Sequence, residues 1–146
     1  MKQTLFIFTI IGLTMFSCKK SNSVDPIPPS LDGKWRMILV VENSSGQTTT
    51  KPANIQGDVD IIFSSTSATN GRFIGNTPTN DIWQNTYTVG ASQSISIPCL
   101  SMTKVMETTW GDEFVDNILS SYEYSFSTVG RLNIKTINRK LTFKKL

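Results

Sequence analysis

Short segments in which apolar and polar residues alternate recur along the chain after residue 30, and they restrict its fold more than any other feature. In the clearest of them, Val59, Ile61 and Phe63 alternate with Asp58 and Asp60. A period of two residues places the apolar side chains on one face of a β-strand, so this segment predicts a half-buried strand. Further segments of this kind lie at residues 35–41, 71–75, 85–89, 94–97, 122–126, 132–134 and 141–143.

One segment has the spacing of a helix instead. Its apolar stripe consists of Phe114, Val115, Ile118 and Leu119. Thr109 precedes Asp112 by three residues, a pattern that resembles a capping box with an acid at the positive end of the helix dipole. Many short strands and one helix predict an α+β domain that is mostly β, built as a curved antiparallel sheet or partly opened barrel packed on that helix.

The first strand and two of the loop regions can be predicted in more detail. In residues 35–41 one face holds Trp35, Met37, Leu39 and Val41 and the other is partly apolar, which predicts a strand that is central or covered on both sides. Residues 43–54 predict a loop or a ragged hairpin, and residues 76–84 predict a loop. A chain of 146 residues suffices for one domain with a single core, which we assign to residues 31–146.

The N-terminus has the pattern of an export signal. Residues 5–16 are a nearly continuous apolar run after Lys2, too short for the roughly 20 residues that span a bilayer. Ser17 and Cys18 follow at once and resemble a lipobox, in which the cysteine is acylated and becomes the new N-terminus. We therefore predict a removable signal at residues 1–17 and a lipid anchor at Cys18, since several acyl chains hold a protein stably on a membrane.

The residues after the anchor predict a tether. Pro26, Pro28 and Pro29 disfavour a helix and favour an extended spacer at residues 18–30. Lys19 is not the aspartate associated with retention at the inner membrane, so we predict the outer membrane. Whether the domain faces the periplasm or the cell surface is left open by the sequence.

The chain contains no histidine, which excludes Ser-His-Asp and Cys-His catalysis and histidine-ligated zinc within it. Cys99 lies in an apolar setting and is predicted to be a buried, inert thiol. Asp58 and Asp60 are predicted to be solvated on an outward strand face, and the helix dipole accounts for the acids near the helix start. We predict no catalytic residue, no metal and no cofactor.

The positive charge is concentrated near the C-terminus. Removal of the signal leaves a net charge of about +2, too small to indicate a nucleic-acid partner. From residue 131 onward the chain carries six Lys or Arg residues and no acid: Arg131, Lys135, Arg139, Lys140, Lys144 and Lys145. These residues would attract anionic headgroups or an acidic partner, or they simply discourage edge-to-edge strand pairing.

Tryptophans are the candidates for binding a partner. Trp83 lies in a polar stretch, and Trp110 lies at the helix entrance. With Phe114 and Leu119, Trp110 would line the mouth of a partly opened barrel, where an apolar ligand or a segment of an envelope protein could dock. The alternative is that both tryptophans seal the core.

Four stretches, taken in order, carry a likeness to a known family. They are residues 31–35, residues 71–75 with Asn80 and Tyr87, residues 95–97 with 102–106, and residues 113–119 with Leu132 and residues 141–143. They resemble the META family of small secreted or lipid-anchored bacterial domains, which includes a heat-inducible outer-membrane lipoprotein. The resemblance implies a partly opened barrel with the helix at its mouth, and the family has no agreed activity. Many members carry a cysteine where Glu107 stands here.

These observations favour a lipid-anchored envelope protein that acts as a non-enzymatic binding or assembly module. An alternative is a stress or envelope-maintenance lipoprotein with a sealed core and no ligand pocket. A hydrolase ranks last, because neither a histidine nor a recognisable nucleophile motif is present.

Acylation of Cys18 is directly testable. The mature chain purified from membranes is expected to begin at residue 18 and to carry acyl groups, as measured by intact mass. Cys18→Ser should abolish incorporation of labelled palmitate, whereas Cys99→Ser should retain it. A mature N-terminus elsewhere, or a chain without acyl mass, would contradict the prediction.

Overall fold

The computed structural model describes residues 30–146. The predicted signal, Cys18 and nearly all of the tether lie outside these residues. The elements are β1 (Gly33–Glu42), β2 (Thr48–Thr49), β3 (Asp60–Ser65), β4 (Asn70–Asn76), β5 (Asp81–Val89), a 3-10 turn (Ala91–Gln93), β6 (Ile95–Ser96), α1 (Thr109–Ile118), β7 (Ser121–Phe126), β8 (Leu132–Thr136) and β9 (Arg139–Lys145).

The strands form one antiparallel sheet in the order β6-β5-β4-β3-β1-β9-β8-β7, with β2 paired to β1. A bridge between Ser94 and Glu123 brings the two ends of this order together, so the sheet curls into a nearly closed barrel. The prediction of a mostly β α+β domain with a partly opened barrel and one helix is confirmed. Among residues 30–146 no helix is long and apolar enough to cross a bilayer.

The core is a single cluster of inward-facing side chains. Its largest members are Trp35, Phe63, Phe73, Tyr87, Trp110, Phe114 and Phe143. Phe63 packs edge-on against Tyr87, with ring centroids 5.1 Å apart, and lies 5.6 Å from Phe73. A Cβ atom at Gly71 would lie 2.2 Å from the Tyr87 ring, so only glycine leaves room for that ring.

A β-bulge changes the inward face of β1 along its length. The pairing of β1 with β9 shifts between Met37 and Leu39. Because one extra residue reverses the alternation, Trp35, Met37 and then Val40 are buried. The expectation that Leu39 and Val41 share the inward face was wrong, whereas the central position of the strand, between β3 and β9, is confirmed.

Three further segments can be compared with their predictions. Residues 43–54 contain β2 and form the ragged hairpin that was one of two predicted alternatives. The loop predicted at residues 76–84 was wrong beyond residue 80, because β5 begins at Asp81 and Ile82 pairs with Gly75. The helix cap is Thr108, one residue before the predicted cap, and its hydroxyl accepts the Gly111 N–H at 3.2 Å.

The two buried tryptophans differ in their hydrogen bonds. The Trp35 indole N–H donates to the Leu31 carbonyl at 2.7 Å, whereas that of Trp110 has no acceptor among the described residues. A buried polar group without a partner costs about 1–3 kcal/mol. The Trp110 site therefore requires the volume of the ring but gains nothing from its N–H.

Phenylalanine substitutions should separate these two contributions. We expect Trp110→Phe to change the free energy of unfolding by about 1 kcal/mol or less, because it removes an unpaired donor. Trp35→Phe should cost more, because it leaves the buried Leu31 carbonyl unpaired, and Trp110→Ala should cost about 3–5 kcal/mol. Urea unfolding measures all three, and equal losses in the two phenylalanine variants would refute the distinction.

Candidate functional site

Three apolar side chains lie on three neighbouring strands, on the outside of the barrel. Ile62 on β3 pairs directly with Ile74 on β4, and Trp83 lies in the part of β5 that is opposite Ile74. Ile74 is 49% exposed and Trp83 is 43% exposed. We call Ile62, Ile74 and Trp83 the outer apolar strip, because they cross three neighbouring strands on a face that the described residues leave open.

A bulge in β5 turns Trp83 outward. The pairing of β4 with β5 moves from Phe73–Asn85 to Gly75–Ile82, so two residues of β5, Trp83 and Gln84, oppose one residue of β4. Gln84 has a φ of 55°, a left-handed conformation that is uncommon for residues other than glycine and costs on the order of 1 kcal/mol. Strained bulges of this kind often present a side chain for function.

A buried amide holds the bulge in place. Asn85 is fully buried, and its side-chain N–H groups donate to the carbonyls of Trp83 and Ser101 at 3.1 Å each. Its side-chain oxygen accepts the Ser101 N–H at 2.5 Å. Asn85 therefore ties the strained turn to the segment that covers the edge of β5. No local pattern in the sequence marks Asn85 as important.

Cations flank the outer apolar strip. Lys34 pairs in register with Ile62 on one side, and Arg72 lies on the outer face of β4 two residues before Ile74. A cleft of about 320 Å3 opens beside Ile62 and Ile74, and another of about 280 Å3 opens where Arg72 borders Gln84. This arrangement suits a partner that presents apolar side chains next to an acid.

The carboxylate pair on β3 is structural. Asp60 is 5% exposed, so its predicted solvation was wrong. Arg36 pairs with it in register and donates from Nε and Nη2 at 2.7 and 2.9 Å, while Lys34 lies 3.1 Å away. These contacts, led by Arg36, hold the pKa of Asp60 below its usual value against the effect of burial. Asp58 pairs with Arg36 and Lys51, at 2.8 Å each, so neither carboxylate is free for acid–base chemistry.

Glu107 fastens the start of the helix to the loop between β4 and β5. Its carboxylate accepts hydrogen bonds from the Thr77 hydroxyl, the Thr79 hydroxyl at 2.8 Å, and Asn80 and the Thr108 N–H at 2.9 Å each. Burial acts to raise the pKa of Glu107, but these hydrogen bonds outweigh it and lower the pKa. A Cβ atom at Gly111 would lie 2.1 Å from this carboxyl group, so the helix can approach only with glycine there.

The acids of α1 do not form a metal site. Glu113 lies 3.5 Å from Arg139, whose guanidinium also contacts Glu42 at 2.6 Å. Burial, together with Asp116 and Glu107, raises the pKa of Asp112. Within residues 30–146 no three acidic or cysteine side chains are grouped to hold a metal ion.

The predicted contact residues fall into two places. Trp110 and Phe114 are 1% and 0% exposed in the core, whereas Trp83 and Leu119 (48%) reach the surface. The structure therefore separates Trp83 on β5 from the helix residues. Cys99 is exposed, so the prediction of a buried thiol was wrong: Ile97 is the last inward residue of its segment, and Pro98 and Cys99 both lie outside.

Comparisons with known proteins add little. No protein-family model matches the chain, and no curated protein matches it. Among solved structures, the NMR structure of a protein from Burkholderia xenovorans aligns with 88% of this chain and 96% of its own, at 16% identity and a TM-score of 0.47. The resemblance to the META family stays a prediction.

The lowered pKa of Glu107 predicts a pH-dependent stability. A carboxyl group whose pKa is lower in the folded than in the unfolded state stabilises the fold above its unfolded pKa and loses this effect as pH falls through its folded pKa. We expect Glu107→Gln to cost about 1–3 kcal/mol at pH 7. The variant should also lose less stability than the parent chain between pH 7 and pH 3, measured by urea unfolding.

Asp81→Asn is the matched control, because Asp81 is exposed and forms no ion pair among residues 30–146. It is expected to unfold like the parent chain at neutral pH. An acid dependence of stability that Glu107→Gln leaves unaltered would show that the network contributes no pH dependence.

Proposed function

We propose that the chain is a lipid-anchored envelope protein that acts as a non-enzymatic binding module, and that it binds a protein partner through the outer apolar strip. The observation that carries this proposal is the exposure of Ile74 and of Trp83, which lies on a strained bulge beside Gln84. Backbone strain at a surface position persists where the exposed side chain has a function. The N-terminal signal and Cys18 support a location in the cell envelope, at the outer membrane.

The chemistry of the strip favours a protein segment as the partner. Burial of a large apolar side chain stabilises a complex by about 1.5–3 kcal/mol, and tryptophan is the residue most often central to an interface. Lys34 and Arg72 border the strip and match an acidic side chain of the partner. A segment with apolar residues next to an acid fits both features.

The helix residues support a surface role over an interior one. An apolar ligand inside the barrel would need access past Trp110 and Phe114, which are fully packed into the core. The same packing also suits the alternative of an envelope-maintenance lipoprotein with a sealed core. The two candidates differ in whether a defined partner contacts the outer apolar strip.

The carboxylates support a non-enzymatic role. Asp60 and Glu107 are engaged by cations or hydrogen-bond donors that lower their pKa. A general acid needs a raised pKa, so these two carboxylates do not suit that role.

Crosslinking tests the proposed surface in the membrane. A photoreactive phenylalanine derivative at Ile74 should give a discrete adduct with one protein, which mass spectrometry identifies. The same group at Tyr122, 50% exposed on β7 away from the strip, should not give that adduct. Equal adducts from both positions, or none from Ile74, would refute the proposal.

Affinity for the purified partner then tests the role of Trp83. Removal of a central interface tryptophan costs about 2 kcal/mol or more, so Trp83→Ala should weaken binding by about 30-fold. Tyr122→Ala, the matched exposed aromatic, should change the Kd by less than about twofold. Both side chains lie outside the core, so the urea midpoint of each variant should stay near that of the parent chain.

A further inference from the structure

The two ends of the barrel are built from different parts of the chain. Residue 30 enters at the end formed by the start of β1, the hairpins β3–β4 and β7–β8, and the end of β9, which we call the tether end. The opposite end, the helix end, contains the β8–β9 hairpin and the β4–β5 loop. Contacts from Glu113 to Arg139 and from Glu107 to Thr79 place α1 there.

Positive charge dominates the tether end. Its cations are Lys34, Arg36, Arg72, Arg131, Lys144 and Lys145; two acids lie among them, Asp32 and Asp60, and Asp60 is paired with Lys34 and Arg36. The Asp32 carboxylate accepts hydrogen bonds from the Ser65 N–H and hydroxyl at 2.7 and 2.8 Å. Within residues 30–146, Arg72, Arg131 and Lys144 form no ion pair. These cations are therefore available to a partner.

Negative charge surrounds the helix end. The acids there, Glu42, Asp81, Glu107, Asp112, Glu113 and Asp116, outnumber the cations Lys104, Lys135, Arg139 and Lys140. Asp112 and Asp116 are exposed on α1, and the Arg139 guanidinium is already held between Glu42 and Glu113. The barrel thus carries opposite charges at its two ends, although the net charge of the whole chain is only +3.

The two ends are far enough apart for their charges to act independently. The hairpin tips at Val129 and Ile137 are separated by the length of β8 and its turns, about 26 Å at ~3.3 Å per residue. Electrostatic forces between exposed groups fade over about 10 Å at 0.1 M salt. An anionic surface in contact with the tether end therefore attracts its cations without repelling the acids of α1.

We propose that the tether end of the barrel rests directly on an anionic phospholipid bilayer. The inference deepens the proposed function, since an anchor at Cys18 followed by twelve residues reaches at most about 40 Å and allows this end to contact the membrane. Each basic residue at such a surface strengthens binding by about fivefold. Val129 and Leu146, 73% and 52% exposed at the same end, add apolar contacts.

This orientation leaves the outer apolar strip free. Ile74 and Trp83 lie on the side wall of the barrel, and a domain that stands on its tether end presents that wall parallel to the membrane normal. A partner in the same membrane or next to it then meets the strip at a fixed height and direction. Orientation of this kind reduces the entropy cost of docking.

Short-range quenching measures which end touches the bilayer. The mature chain, with Cys99→Ser, receives a fluorophore at Val129→Cys or at Ile137→Cys, two hairpin positions with 73% and 71% exposure at opposite ends. Each is reconstituted into phosphatidylcholine vesicles with or without phosphatidylglycerol, which carry a nitroxide quencher on their headgroups. We expect strong quenching at position 129 and little at 137, and loss of this difference without phosphatidylglycerol or at about 1 M salt.

Charge reversal identifies the residues responsible. Arg131→Glu combined with Lys144→Glu should abolish the preferential quenching at position 129. Lys140→Glu, on the same strand as Lys144 but at the helix end, should leave it unchanged. Equal quenching at both positions on anionic vesicles, or a preference that survives charge reversal, would overturn the proposal.

Vesicle flotation separates this proposal from that of the lipid anchor. An acyl anchor holds the chain on vesicles at about 1 M salt, whereas headgroup attraction alone does not. Flotation at high salt with equal quenching rejects the orientation and keeps the anchor. Flotation only at low salt on anionic vesicles supports the basic surface and rejects the anchor, and no flotation under either condition rejects both.

Discussion

Burial of aromatic and aliphatic side chains inside the curled sheet is the interaction on which the rest of the structure depends. Because the sheet closes on itself, one cluster contains Trp35 from the first long strand, Phe63 and Tyr87 from the middle, and Trp110 and Phe114 from the helix. Every strand except β2 contributes its inward face to this cluster and leaves its outward face in contact with solvent. Surface features can therefore vary without loss of the core.

The two β-bulges that interrupt regular alternation, in β1 and β5, have different consequences. The bulge in β1 moves the inward position from Leu39 to Val40 and keeps the core filled. The bulge in β5 places Trp83 outside and requires a left-handed Gln84, which the buried amide of Asn85 supports. A strained surface residue held by a buried polar group is more typical of a binding surface than of a stabilising element.

Charge is organised on two scales. Locally, Asp60 and Glu107 stay ionised because cations or hydrogen-bond donors surround them, and they hold strands and the helix start together. Across the molecule, cations gather where residue 30 enters and acids gather around α1. The outer apolar strip lies on the wall between these ends. Together, a lipid anchor and an oriented barrel would present the outer apolar strip as a binding surface at a membrane.

Local patterns by themselves determined the secondary structure, because periods of two and 3.6 residues record which side chains face a core: Val59, Ile61 and Phe63 were buried as expected, and Phe114 packed inward from the helix. The N-terminal signal pattern and the absence of histidine are likewise properties of the sequence. Only the tertiary structure decided what depends on cross-strand neighbours. Register placed Arg36 beside Asp60 and buried a carboxylate that looked solvated, and it brought Ile62, Ile74 and Trp83 of three consecutive strands to the same outer face. Closure of the sheet decided at which end of the barrel each charged residue lies, because position along a strand identifies an end only once the strands are paired.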